Sequence, residues 1–463
     1  MTAGPTEPSM RTGANTGQGA VRRAIHWSAG DDGARWAFRV ALFVFVVLVY
    51  VVGRRQWFTQ DDWAMLIGRT VQHANEGTAA WLFTAQDGHW LTVPVLLFRT
   101  LQLTFGLGSY WPFLLPTLAA HLGCVLLVRC LCRRLGVSAW TTTLICALLL
   151  LFGSGWQNIM FAIQISYTIS LLAFLGQLVL VDHDGPVERR DLAGSALAVV
   201  GLISSGFGPV YVSGVALLLV LRRRWRALLV AAVPSGLLYS WWFLAWETDS
   251  AGSIKGSPRE VFSFTRTGVL ETLRGLMGLS VLAGVGLVAI VAMCAARGVS
   301  WRHRSALVVL TVVPVMLYAG IGVERAHGFG FASAAEPRYI YMAAMPLAVV
   351  LAVALDQVRR YSGWALWVVR LVLLLAITKN VVWMSSHSLP WSRTVAGERH
   401  VLELLAGSEL TKTADQNRQP LPLSPDVRVS WIPELVREHA VEPLVPQSDT
   451  EIALVRKVLG LTP

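Results

Sequence analysis

Residues 57–69 read WFTQDDWAMLIGR, and they follow the first long apolar run of the chain, 36–53. Two adjacent carboxylates, Asp61 and Asp62, therefore stand where the polypeptide has just left an apolar span. Downstream, Trp63, Leu66, Ile67, Val71 and Ala74 recur at helical spacing, Arg69, Gln72, His73 and Glu76 take the other face, and Gly77 supplies a stop. The stretch predicts an amphipathic helix lying on a membrane surface and opened by paired acids. An aspartate before WAMLIG is an ordinary helix cap, most simply Asp62. A second acid is harder to account for by capping, so chemistry remains open for the pair.

Outward from this point the whole chain reads as membrane protein. Of 463 residues, 54% are hydrophobic and 14% charged, with a mean hydropathy of +0.54, whereas a soluble domain carries about 25% charged residues. Apolar runs near 36–53, 111–132, 138–155, 160–181, 192–206, 208–221, 227–246, 275–296, 305–323, 339–357 and 364–384 predict an all-α polytopic fold of about eleven transmembrane helices. The net charge of +11 sits in clusters between these runs, such as LRRRWR (221–226) and RGVSWRHR (297–304). That is the positive-inside pattern; it excludes a nucleic-acid partner and makes the N-terminus cytoplasmic. The five cysteines fall in or beside apolar runs, which argues against disulfides and Cys-based metal sites.

The stretch HWLTVPVLLFRTLQLTFGLG (89–108) is nearly long enough to cross. Arg99 interrupts it, a charge costing about 2.5–3.5 kcal/mol at the bilayer centre, and a crossing would put every later arginine cluster outside. It reads as a second interfacial helix. The organisation is then a disordered cytoplasmic tail (1–34), a transmembrane unit (35–384) whose long first extracytoplasmic loop is 54–110, and a small extracytoplasmic C-terminal segment (385–463) with a loosely ordered Pro-rich middle. Two further outside loops carry charge: 247–266 with Lys255, and GVERAHGFGFASAAEPR (322–338) with Glu324, Arg325, His327, Glu336 and Arg338. Mid-span His121 reads as an interhelical hydrogen bonder, and Glu271 and Arg274 as a helical ion pair.

The order QDDW (60–63), DGHWLTVP (87–94), LQLTFG (101–106) and CRRLG (132–136) resembles the GT-C superfamily of integral-membrane glycosyltransferases, which includes aminoarabinose transferases, protein O-mannosyltransferases and actinobacterial arabinofuranosyltransferases. The resemblance covers 57–136 by motif and the remaining spans by general architecture. It implies an inverting transfer of a sugar from a polyprenyl-phosphate donor to an extracytoplasmic glycan, lipid or protein of the cell envelope, at the plasma membrane. Such a reaction needs a carboxylate to take the acceptor proton. Asp61 is the expected base, with Asp62 in support, orienting the acceptor or holding a divalent ion such as Mg or Mn. The lipid phosphate needs fixed positive charge; Arg338 with Tyr339 leads, followed by Arg325, His327 and Lys255. His89, Gln157, Gln164 and Glu336 are candidates for sugar or acceptor contacts. The chain departs from the family in carrying Asp-Asp where some members carry Asp-Glu, and amides in NIMFAIQ (158–164) where some carry a third acid. The alternative function is a transporter or lipid-carrier flippase; ionisable residues gathered at outer loops and the absence of a sequence repeat favour the enzyme. A catalytically dead scaffold of the same fold is a third reading.

Overall fold

The computed structural model describes residues 31–246, 255–280, 282, 286, 300–358 and 363–461. Most of the expected tail at 1–34 and most of the expected span at 275–296 lie outside the described residues. The described chain is helical, with one isolated bridge between Gln86 and His89.

Among the described residues seven helices are long and apolar enough to cross a membrane: Asp31–Gly53 (α1), Trp111–Arg134, Ala162–Val181, Trp225–Trp246, Trp301–Phe329, Pro337–Gln357 and Trp364–Ala406. The expected spans at 138–155, 192–206 and 208–221 are the helices Ala139–Leu150, Arg189–Leu202 and Gly208–Leu221, of 12, 14 and 14 residues. At 1.5 Å per residue each is shorter than a bilayer core of about 30 Å. The stretch read as interfacial is Thr92–Phe105 (α2), 14 residues long and likewise too short to cross.

Terminal chemistry fixes the ends of these helices. Asp31 and Asp32 open α1, facing the positive end of its dipole. Trp111–Arg134 (α3) has Pro112 in its first turn and Arg133 and Arg134 in its last. Ser257 and Glu260 form a capping box on Pro258–Met277 (α4), which stops at Gly278 with φ +84°. On this helix Glu271 and Arg274 pair as expected, at 3.3 Å.

Pro337–Val358 (α5) runs through the centre, with every residue from Tyr339 to Ala354 buried. An apolar sequence with no polar face suits a helix surrounded on all sides. Outer helices instead leave Phe43, Val46, Leu244, Trp364, Trp367 and Leu375 exposed, large side chains that a bilayer covers and water would not. His121 ties α3 to the core, its Nδ1 2.8 Å from the Tyr341 hydroxyl and Nε2 3.2 Å from the Leu150 carbonyl.

The last long helix, Gly363–Ala406 (α6), has 44 residues, about 66 Å of rise and twice the bilayer core. Its continuation carries the C-terminal segment back over the end of the bundle that bears Asp61. Leu107 N–H donates to the Glu438 carbonyl (3.3 Å), and Gln60 N–H donates to the Leu423 carbonyl (3.2 Å). Glu398 of α6 fixes that contact by accepting from Leu423 N–H (2.6 Å) and the Ser424 hydroxyl (3.0 Å). The Pro-rich middle is thus folded against the first loop, with turns such as Val429 N–H to Arg418 carbonyl, 3.0 Å.

Candidate active site

The two adjacent aspartates point to different places. Trp57, Phe58 and Trp63 are buried at 2%, 1% and 0% exposure; Trp57 packs edge-on against Trp63, and Phe58 against Tyr110 and Phe113, at ring distances of 5.0 to 5.1 Å, pinning both sides of the turn. Between them Gln60 takes φ +48°, a conformation costly for a side-chain-bearing residue and held by the Leu423 carbonyl. The turn drives Asp62 inward. Its Oδ2 accepts from Thr59 N–H (3.1 Å) and the Tyr110 hydroxyl (3.4 Å), and its Oδ1 accepts from Ile163 N–H (3.1 Å). Tyr110 in turn accepts from Ala162 N–H at 2.6 Å. Asp62 therefore staples the first loop to residues 162–163. It is not the helix cap the sequence suggested: Gln60 occupies the cap position, without a side-chain cap bond.

Burial pushes the Asp62 carboxyl up to about 7, with the charge of Asp61 adding to it, against its amide donors. Asp61 is also held above the ordinary value, first by burial and then by the carboxylate of Asp87, while Arg338 pulls it down.

A π-helical turn, Ala64–Gly68, follows. Its extra residue rotates the expected amphipathic face by about 100°. Trp63, Leu66 and Ile67 are buried as their spacing predicts, but Val71 is 45% exposed and Arg69 is 5%. Arg69 turns inward to the carbonyls of Trp81 (3.3 Å) and Thr84 (2.9 Å), bracing the chain leading to Asp87. Gly77, at φ +87°, kinks the helix where the stop was expected.

Asp61 opens into a cavity of about 930 Å³, of a size suited to a small-molecule ligand. Asp87 and His89 line it from the first loop, Tyr167 from Ile165–Val181, Arg325 from Trp301–Phe329, and Arg338 and Tyr339 from the start of α5, with Lys255 at its edge; Val210, Phe243, Leu317 and Ile321 form an apolar flank. Lys255 pairs with Glu324 at 2.5 Å, and Arg338 with Glu336 at 2.6 Å while also lying over the Tyr339 ring. Arg325 lies over the Phe329 ring, 5.5 Å from its centroid, and meets no carboxylate among the described residues.

His89 is oriented by backbone. Gly206 N–H donates to its Nδ1 (3.1 Å), so the neutral ring carries its proton on Nε2, 3.4 Å from the Tyr167 hydroxyl. Burial and then Arg325 and Arg338 lower this imidazole to about 4, making it a neutral N–H donor near pH 7. The latch requires glycine: a Cβ on Gly206 would fall 2.3 Å from His89 Nδ1.

Of the residues singled out from sequence, Asp61, His89, Lys255, Arg325, Arg338 and Tyr339 share the cavity. Asp62 lies behind it, and Glu336 reaches it through Arg338. His327 pairs with Glu260 at 3.3 Å and is about half exposed, away from the lining. Gln157 and Gln164 stay outside the lining as well. Sequence reasoning missed Asp87, quoted only as the first residue of DGHWLTVP, and Tyr167. Asp87 adopts φ +51°, and its placement one turn before an interfacial helix, in the loop that already held two acids, was the available signal. Asp62 does not fit the expected role of a divalent-ion ligand. Both Asp62 oxygens are engaged by donors, and no three His, Cys, Asp or Glu groups converge among the described residues.

No protein-family model and no curated protein matches the chain. Among solved structures it is similar to ArnT from Cupriavidus metallidurans bound to undecaprenyl phosphate, at 14% identity and a TM-score of 0.52, over 90% of this chain and 87% of that one. The chain has the ArnT-like fold that the sequence resemblance implied.

Proposed function

We propose that this protein is a membrane glycosyltransferase that moves a sugar from a polyprenyl-phosphate donor to a hydroxyl of an extracytoplasmic cell-envelope acceptor. One observation carries the reading: Asp61 shares a single cavity with Arg325, Arg338 and Lys255. Arginine-rich turns gather at the opposite end of the bundle, beyond Arg134, and this asymmetry supports a cavity that opens on the outer face.

In the proposed reaction the acceptor oxygen attacks the anomeric carbon as the bond from that carbon to the phosphate oxygen breaks. The acceptor proton passes to Asp61, and the electron pair of the broken bond leaves on the lipid phosphate. Arg325 and Arg338 offset the charge that grows there, and the apolar flank suits the first units of the lipid tail. His89 donates its Nε2 proton to a sugar or phosphate oxygen. Asp62 keeps Asp61 on the cavity side of the turn.

Reconstituted protein supplied with radiolabelled polyprenyl-phosphate sugar and an envelope acceptor fraction should transfer label to the acceptor. Movement of label across liposomes without transfer would replace this reading with a flippase. Gly206→Ala should lower kcat/KM for transfer by about 10- to 100-fold, because displacing His89 by an ångström spoils its alignment. Wild-type kinetics in a Gly206→Ala protein would remove His89 from the mechanism.

A further inference from the structure

A second cavity, of about 540 Å³, lies at the arginine-rich end of the bundle, where Arg134, Arg190, Arg222 and Arg302 converge with Asp182 and His183. These residues come from five helix ends: the close of α3, the exit from Ile165–Val181, the start of Arg189–Leu202, the exit from Gly208–Leu221 and the start of Trp301–Phe329. The cavity therefore sits at the level of lipid headgroups.

Its walls are built rather than accidental. Arg224 knots three of the segments together, donating to Asp191 Oδ2 (3.1 Å), the His183 ring (3.1 Å) and the Val181 carbonyl (2.9 Å). Arg222 is almost fully covered and donates to Asp182 Oδ1 (2.5 Å), the Ser305 hydroxyl (2.9 Å) and the Arg302 carbonyl (2.9 Å).

The charge inside is unbalanced. Asp182 serves both Arg222 and Arg302, and Asp184 meets Arg302 from outside the lining. Arg190 has Glu188. Arg134 donates to the Val179 carbonyl and meets no carboxylate among the described residues. His183 belongs to the wall: its buried ring places Nε2 3.1 Å from both Asp191 Oδ2 and Arg224.

We propose that this cavity binds a phosphate monoester or diester, gripped by the Arg134 and Arg302 guanidinium forks. Its position makes the headgroup of an inner-leaflet anionic lipid the nearest source, with a soluble phosphate ester as the other. The site is remote from Asp61 and independent of the transfer reaction.

The test uses the full-length protein in a neutral detergent, titrated with short-chain phosphatidic acid, the matching diacylglycerol and sodium phosphate, with Tm as readout. Phosphatidic acid should raise Tm with a saturable midpoint and the diacylglycerol should not. Sodium phosphate matching the lipid would assign the ligand to the soluble class; a much weaker response to phosphate would assign it to lipid. Arg134→Gln, whose side chain is exposed, and Arg302→Gln, whose side chain is about half exposed, should each raise the midpoint tenfold or more. Equal shifts from diacylglycerol, or reproduction by chloride at matched ionic strength, would overturn the proposal. So would midpoints in both variants indistinguishable from wild type.

Discussion

Asp61→Asn is expected to lower the rate of sugar transfer by about 10²- to 10⁴-fold, the usual contribution of a positioned general base. The substitution keeps the size of the side chain and removes its ability to take a proton, so donor binding should change little and the loss should fall on kcat. The pH profile gives a second reading. Asp61 acts ionised, so the rate falls as pH drops through its pKa, which burial and Asp87 hold above the ordinary value. Asp87→Asn removes the second of those causes and should move this acid limb to lower pH; Asp61→Asn should abolish it. Asp62→Asn is expected to behave differently. An amide in place of the carboxylate turns an NH₂ group toward the N–H of Thr59 or Ile163, both of which need an acceptor. Its cost is about 1–3 kcal/mol of stability before any effect on chemistry. An Asp61→Asn protein transferring label within threefold of wild type would refute the assignment of the base.

How much of this was legible in the sequence follows from how local each feature is. The helical bundle and the gathering of arginines between its apolar runs could be read, because apolar run length and the cost of a membrane charge act over about 20 residues. The acidic pair was visible as an anomaly. Which acid faces the cavity was not forced by the sequence, since the division depends on a left-handed Gln60 and on donors at Tyr110 and Ile163, 48 and 101 residues away. The capping assignment of Asp62 failed for the same reason: local propensity favoured a cap, and long-range amides took the carboxylate instead. Arg69 illustrates the limit of periodicity. One extra residue in the π turn moved it from the expected polar face into the protein, and no spacing rule announces such an insertion. Gln157 and Gln164 had the side chains a sugar site uses, but they belong to the short turns 157–164 packed beneath the cavity.

Arg325→Gln and Arg338→Gln are each expected to lower kcat/KM by about 10²- to 10³-fold, the usual penalty for removing a donor aimed at developing negative charge. The two should nevertheless be distinguishable. Arg325 meets no carboxylate among the described residues, so its loss removes attraction for the phosphate without leaving a carboxylate uncompensated; Arg325→Lys, with one compact charge and no fork, should recover only part of the rate. Arg338 already holds Glu336 at 2.6 Å. Its removal leaves that carboxylate facing the phosphate uncompensated, adding repulsion to lost attraction. Arg338→Gln should therefore be the more damaged of the pair, and adding Glu336→Gln should restore part of its activity, a non-additivity expected of groups in direct contact. Both arginines also lower the pKa of Asp61, so either substitution should move the acid limb of the pH profile upward. Loss of binding with no shift of that limb would place the arginines outside the electrostatic reach of Asp61. A double variant, Glu336→Gln with Arg338→Gln, no better than Arg338→Gln alone would show that the pair does not act as a unit on the phosphate.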